Sequence, residues 1–388
     1  MLRPALRRAW RSGQTVQFGV TRATAVTFGP LDPDTGILLD RLTGARGLSL
    51  VRQEAAALGL REGAADQLLS ALAGAGLLMD ATGGGPGAAR LRERAGALDR
   101  LRPDLASLSV LHPDACGGLE RLAARRALQV QVRGAGRVGA AVAALLSAAG
   151  VGRVEVRDGG CVEPWDVGPG GHAPQQVGER REVSARRAVR AAAPEPPGAG
   201  RPAGERATAA AGPALVVLAP RDGFAAYAPD PDAAAELMAA GVPHLYAGVL
   251  EATGVVGPLV LPGGTACAGC LAAARAAEEP EWPRLLAQWR SGGRRQGVQS
   301  CDVALAALVA GLTASHVLTY LDGGLPPVTG ARLELALPGL DPEVGRLEPF
   351  PGCGCGAVGT ALPARVPAAV STTAGSVGAG QEAGGARV

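Results

Sequence analysis

Three groups of residues in this chain have the type and spacing to do chemistry. The first is the glycine set Gly134, Gly136 and Gly139 in the run GAGRVG, which follows the alternating strand pattern Leu128 to Val132 and opens an Ala/Leu/Val segment of helical length. In that setting Gly134 permits the tight turn, Gly136 lets backbone N–H groups approach a phosphate, and Gly139 lets the helix pack close to the sheet. The helix N-terminus adds positive potential for that phosphate. Asp158 ends the next short strand, Arg153 to Arg157, and is placed to accept hydrogen bonds from a ribose. Strand, glycine turn, helix, strand and acid make a complete βαβ nucleotide-binding unit.

The second group is thiol. Cys267-Ala268-Gly269-Cys270 has metal-ligand spacing, and Cys353-Gly354-Cys355 offers a second pair far downstream. Four thiolates at ~2.3 Å would close a structural Zn²⁺ site with no open position, whereas a CxxC pair alone also serves thiol exchange. The third is Asp222, just past the fully apolar run Ala214 to Ala219, which reads as a buried parallel strand. Acids at the C-terminal ends of such strands face the ligand crevice of an open α/β sheet.

Composition narrows the field. The chain has 388 residues, 47% of them apolar, enough for two or three domains with a substantial core. A net charge of +3 is too small to imply a nucleic-acid partner. All 38 basic residues are Arg, so Schiff-base and P-loop lysine chemistry are excluded. No apolar run approaches the ~18 residues needed to span a membrane, so no membrane partner is expected. The N-terminus has no secretory h-region, and seven unevenly clustered cysteines favour metal ligation or free thiols over a disulfide framework. A cytoplasmic protein is expected. The four histidines are dispersed. His244 opens a buried strand and His316 sits in an apolar helix, both as structural residues. Cys301 reads as a buried thiol before a helix, and Trp282 and Trp289 as packing anchors.

The elements that must position these groups fall into segments. Residues 1–82 read as a winged-helix-like α/β module, with strands over Thr15 to Val20 and Ala25 to Phe28 and three helices from Pro33, Leu50 and Ala64. Its last helix, AADQLLSALAG, offers Asp and no Arg to a DNA groove. Residues 83–118 read as a linker and helical connection. Residues 119–362 read as a Rossmann-like domain, a mostly parallel sheet with flanking helices, whose last strand is Arg332 to Leu337. The Pro/Gly-rich stretch from Pro194 is expected to be a flexible loop, and 363–388 a disordered tail.

From Leu119 to Gly356 the order of these signals resembles the ThiF/MoeB-type adenylyltransferases, relatives of ubiquitin-activating enzymes. GAGRVG, the GVG before the second strand, Asp158, VGERREVSARRA, VVLAPRDG, PHLYAGVLEATG, CAGC and the later cysteine pair carry the likeness. It implies use of ATP and Mg²⁺ to adenylate the C-terminal carboxylate of a small carrier protein or precursor peptide, a structural Zn²⁺ on Cys267, Cys270, Cys353 and Cys355, and a homodimer. By the same match Asp222 is the Mg²⁺-linked acid, Arg181 stands for a catalytic lysine, and Asp166 joins the nucleotide-binding residues. Gly160 stands where the family has a second acid, and Asp166 with Gly168-Pro169 where it has Asn and then Arg. The N-terminal module is similar to the leader-peptide recognition modules of ribosomal-peptide tailoring proteins, where a strand edge captures an extended peptide. Two other readings stand beside this one. A non-catalytic relative would present a peptide to a partner enzyme. An NAD-dependent oxidoreductase would use GAGRVG and Asp158 but leave Asp222 and the cysteines unexplained.

Overall fold

A computed structural model describes residues 1–80, 83–195, 212–291 and 299–361. Most of the Pro/Gly-rich stretch (196–211) and the tail 363–388, expected to be loop and disorder, lie outside the described residues.

The N-terminal module is an antiparallel sheet of β1 (Arg8–Ser12), β2 (Thr15–Phe18) and β3 (Val26–Phe28), in that spatial order, with α1 (Pro33–Asp40), α2 (Leu48–Ala57) and α3 (Ala64–Gly74). The sequence reading finds β2, β3 and the helices but not β1. Every residue of β1 is exposed, so no apolar alternation marks it. Asp32 caps α1 by accepting from the Thr35 N–H, and Pro33 supplies a first-turn residue with no donor to satisfy. Val16, Phe18, Leu38, Leu39, Leu68 and Leu72 close a core of their own.

The connection is more than a linker. Helices α4 (Pro86–Arg92), α5 (Ala95–Arg100), α6 (Arg102–Leu111) and α7 (Gly117–Ala127) pack Leu91, Leu101, Leu108 and Leu122 into a separate cluster. The buried guanidinium of Arg3 donates to the carbonyls of Gly76 and Ser109, joining this layer to the N-terminal module. At the other end, Arg125 on α7 makes a bidentate pair with Asp322, both side chains 6% exposed. Removing one partner of such a pair costs about 3–5 kcal/mol by stranding the other charge.

The main sheet runs β10-β9-β8-β7-β6-β4-β5. Strands β5 (Arg153–Arg157), β4 (Gln129–Arg133), β6 (Leu215–Leu218) and β7 (His244–Leu250) are mutually parallel. Strands β8 (Thr253–Val260), β9 (Ala331–Ala336) and β10 (Pro342–Arg346) extend it antiparallel. Strand β10 lies beyond the last strand expected from the sequence; it too is exposed throughout.

Between β4 and β5 runs α8 (Arg137–Ala148), and after β5 come α9 (Arg181–Ala192), α10 (Phe224–Tyr227), α11 (Ala235–Ala239), α12 (Ala268–Glu278), α13 (Trp282–Ser291) and α14 (Val303–Leu321). Helix α14 corrects the expectation about apolar runs: its 19 residues are long and apolar enough to cross a membrane by length and composition. It packs one face against α8, β7 and β8, with Leu305, Val309, Ala310 and Val317 in the sheet core, and 39% of its apolar window is buried. Trp282 and Trp289 pack edge-to-face on each other at 5.6 Å between ring centroids, but Trp289 is 54% exposed and α13 buries no residue, so they do not anchor it in the core.

Candidate active site

The glycine turn sits where the sequence puts it, between β4 and α8. Gly134 has φ +100°, and a Cβ there would lie 2.0 Å from the Ala219 carbonyl oxygen, so both the conformation and the approach of β6 demand glycine. A Cβ on Gly139 would lie 2.1 Å from the Gly134 carbonyl oxygen, so its absence lets α8 start tight against the turn. Gly136 is the N-cap of α8, and the stem of Arg221 lies over it, with Cγ 3.0 Å from where a Cβ would be.

Around this turn Gly136, Arg137, Trp165, Asp166, Pro220, Arg221, Gln299 and Cys301 line a small crevice. Arg137 Nη1 donates to the Cys301 carbonyl at 2.7 Å, while its Nε is buried without a partner. Arg221 leaves the end of β6, donates from Nε to Asp166 Oδ1 at 2.7 Å and pairs with Glu163. The crevice therefore joins a helix N-terminus to two guanidiniums, an arrangement that favours an anion. Arg221 is the site residue that sequence reasoning missed; its only signal was a charge next to Asp222 at a strand end.

Asp158 lies where expected, at the end of β5, but is already engaged. Its Oδ2 accepts from the Ala135 N–H at 2.8 Å, and its Oδ1 accepts from the Gly160 N–H at 2.8 Å and from Arg181 Nε at 2.9 Å. That uses three of its about four acceptor directions and leaves one on Oδ2 for a ribose hydroxyl. Gly160 explains the arrangement, since a Cβ there would fall 2.1 Å from Arg181 Nη2. Arg181 also lies 3.6 Å from Asp166, which is 3% exposed and sits between Arg181 and Arg221. Arg181 thus faces Asp158 and Asp166 and does not line the crevice.

Burial works to raise the Asp158 pKa, but the bonds from Arg181, Gly160 and Ala135 outweigh it and hold the carboxyl below its usual range. A lowered folded-state pKa means that the contribution to stability is complete above the unfolded value of ~3.9 and disappears as the pH falls through the folded one. Acid unfolding followed by circular dichroism is expected to show this: the Asp158→Asn variant, less stable at neutral pH, loses less stability than the parent below about pH 4. Equal losses on acidification would show that the ionised Asp158 adds nothing.

Asp222 sits on the turn after β6, exposed, with no hydrogen bond or ion pair to it among the described residues. It does not line the small crevice itself. Burial pushes the Cys301 thiol up, the opposite of an activated nucleophile. Burial also lowers the pKa of His244 and His316, leaving both imidazoles neutral.

Across the sheet the four cysteines converge. Cys267 is the N-cap of α12 and Cys270 lies in its first turn, while Cys353 and Cys355 follow β10. All four Sγ atoms lie within 4.8 Å of one another, with Cys267–Cys353 at 3.6 Å, Cys270–Cys355 at 3.5 Å and Cys267–Cys270 at 3.9 Å. Sulfurs bound tetrahedrally at ~2.3 Å from Zn²⁺ stand ~3.8 Å apart, so the cluster is compatible with zinc. Gly269 lets the pairs close up, since a Cβ there would lie 3.2 Å from Cys353 Sγ.

Residues 114–356 match the model of the ThiF family. No curated protein matches the sequence. Among solved structures the chain is similar to E. coli MccB with ATP, at TM-score 0.63 and 13% identity over 92% of this chain and 98% of that one. It is similar to PaaA, at TM-score 0.62 and 14% identity over 89% and 99%. It is also similar to the microcin C7 biosynthetic enzyme MccB in complex with N-formylated MccA, at 0.61 and 13% over 92% and 99%. At such identities the likeness is one of fold, and its coverage takes in the N-terminal module as well as the sheet domain.

Proposed function

The chain belongs to the ThiF family, and from that premise we propose that it is an ATP-dependent adenylyltransferase acting on the C-terminal carboxylate of a peptide or small carrier protein. The observation that carries this reading is the polarity of the crevice: the α8 N-terminus, Arg137 and Arg221 line one space at the ends of β4 and β6, and the buried Arg137 Nε has no partner. That is a place for phosphates, with Asp158 beside it for the ribose. A peptide carboxylate oxygen attacks the α-phosphorus, the bond to the bridging oxygen of the β-phosphate breaks, and pyrophosphate leaves. Developing charge on those phosphate oxygens is met by the helix N-terminus and the guanidiniums. Asp222 would hold Mg²⁺ together with the phosphates, as one carboxylate suffices for that ion, and Mg²⁺ supplies charge neutralisation.

Cys267, Cys270, Cys353 and Cys355 would hold a structural Zn²⁺ that fastens the segment after β10 to α12. A peptide substrate is supported by the shared fold with MccB in complex with N-formylated MccA, and by the sheet of the N-terminal module, whose outer strands β1 and β3 each have one unpaired edge. A soluble, cytoplasmic homodimer in peptide natural-product or sulfur-carrier chemistry completes the proposal. The scaffold reading, in which a non-catalytic chain presents the peptide to a partner enzyme, is favoured by one observation: the crevice cavity is about 20 Å³, room for about one water.

Two measurements test the proposal. ATP with Mg²⁺ is expected to raise the melting temperature, equivalent to about 2.7 kcal/mol at a hundredfold excess over Kd, and NAD to raise it less. Purified chain is expected to exchange pyrophosphate into ATP when given a substrate peptide. Stabilisation by NAD and not by ATP would sink the adenylyltransferase reading; ATP binding without exchange for any candidate peptide would move the chain to the scaffold reading.

A further inference from the structure

Two carboxylates of unequal exposure hold Arg221 at the crevice. Arg221 spans it, with its stem over Gly136, its Nε on Asp166 and its terminal nitrogen on Glu163, and with Trp165 under the guanidinium at 5.8 Å. Asp166 is fixed: it is 3% exposed, its Oδ2 accepts from the Glu163 backbone N–H at 2.9 Å, and Arg181 lies 3.6 Å away. Glu163 is held less firmly: its side chain is 42% exposed, and besides its pair with Arg221 it belongs to the capping box that it forms with Asp166. Asp166, which lines the crevice, therefore holds the arginine in place, while Glu163, which lies outside that lining, occupies a terminal nitrogen of the crevice-lining Arg221. A carboxylate and a phosphate present the same chemistry to a guanidinium fork.

Building on the ATP reading above, we propose that Arg221 is the side chain that grips the nucleotide phosphates and that Glu163 holds its place until they arrive, so that the Glu163–Arg221 pair is a latch on the crevice. Asp166 keeps the Arg221 Nε throughout. The arriving phosphate displaces Glu163 from the terminal nitrogen, and the carboxylate returns to water at little cost because it is already half exposed. Beside the released guanidinium, Arg137, which also lines the crevice, receives a second phosphate oxygen. The small cavity volume is then a property of the latched state.

The test is equilibrium binding of non-hydrolysable ATP and of adenosine to the full chain, by calorimetry and by tryptophan fluorescence, with Trp165→Phe identifying the Trp165 signal. Arg221→Gln is expected to weaken the triphosphate roughly 10- to 100-fold and leave adenosine unchanged, with Arg221→Lys in between. Glu163→Gln, which touches neither the glycine turn nor the core, is expected to tighten the triphosphate by up to about fivefold through loss of the internal competitor. Unchanged triphosphate affinity in Arg221→Gln, or weakened affinity in Glu163→Gln, overturns the latch while the adenylyltransferase reading stands. A parent chain that binds neither ligand overturns both.

Discussion

Replacing Cys267 by serine is expected to release one zinc ion per chain and to lower stability by about 4 kcal/mol or more. The reason is local. Cys267 and Cys270 are buried at the start of α12 among Tyr246, Val260 and Ala268, and Cys353 and Cys355 come from a segment with little core of its own. Without a metal, four thiols at these distances gain almost nothing from one another, and burial pushes Cys267 up to about 12, so its thiol stays protonated. A bound cation turns the same cluster into a cross-link between α12 and the chain after β10. Metal analysis of protein prepared without chelator, beside denaturant melts of the parent and the variant, gives the answer. Parent protein free of zinc, and as stable as the variant, removes the metal from the proposal.

The second large effect is expected at Asp222. Asp222→Ala should reduce pyrophosphate exchange by about 10³, or about 4 kcal/mol, because in the proposed reaction this exposed carboxylate would hold the Mg²⁺ that neutralises the phosphates. Peptide affinity should not move. The N-terminal module has a closed core, and its free strand edges are formed without the sheet domain, so residues 1–82 alone are expected to bind the peptide, at micromolar Kd for a small groove. In the scaffold reading Asp222→Ala has no biochemical effect, as there is no turnover to lose. Fluorescence anisotropy on the full chain, the variant and the module, run beside the exchange assay, separates these cases. Peptide binding that requires ATP and is absent from the module would falsify the recognition role and leave the crevice as the sole peptide site.

What the sequence made legible was whatever is encoded over a short span. The βαβ unit is readable because strand alternation, glycine spacing and an apolar helix lie within one stretch, and the CxxC pair because metal spacing is itself local. Strands β1 and β10 escaped notice because exposed edge strands carry no burial pattern. The contacts among the charges at the site were not legible for a different reason. Arg181 reaches Asp158 because position 160 has no side chain, and Arg221 enters the crevice because β6 ends beside the glycine turn. Both depend on residues distant in sequence. Seen one at a time, the residues at 160 and near 169 show none of this; in three dimensions Asp166 lies between Arg181 and Arg221.

The cations gathered at and behind the crevice, Arg137, Arg181 and Arg221, are all guanidiniums, in a chain without lysine. A guanidinium keeps its proton at any physiological pH and has no lone pair to offer, whereas a buried lysine readily becomes a free amine. An acyl adenylate is an acylating agent, and a side-chain amine beside it would be its first victim. In the proposed reaction the activated carboxyl would meet no side-chain amine of this chain, and the thiol at the crevice wall, Cys301, is held protonated by burial.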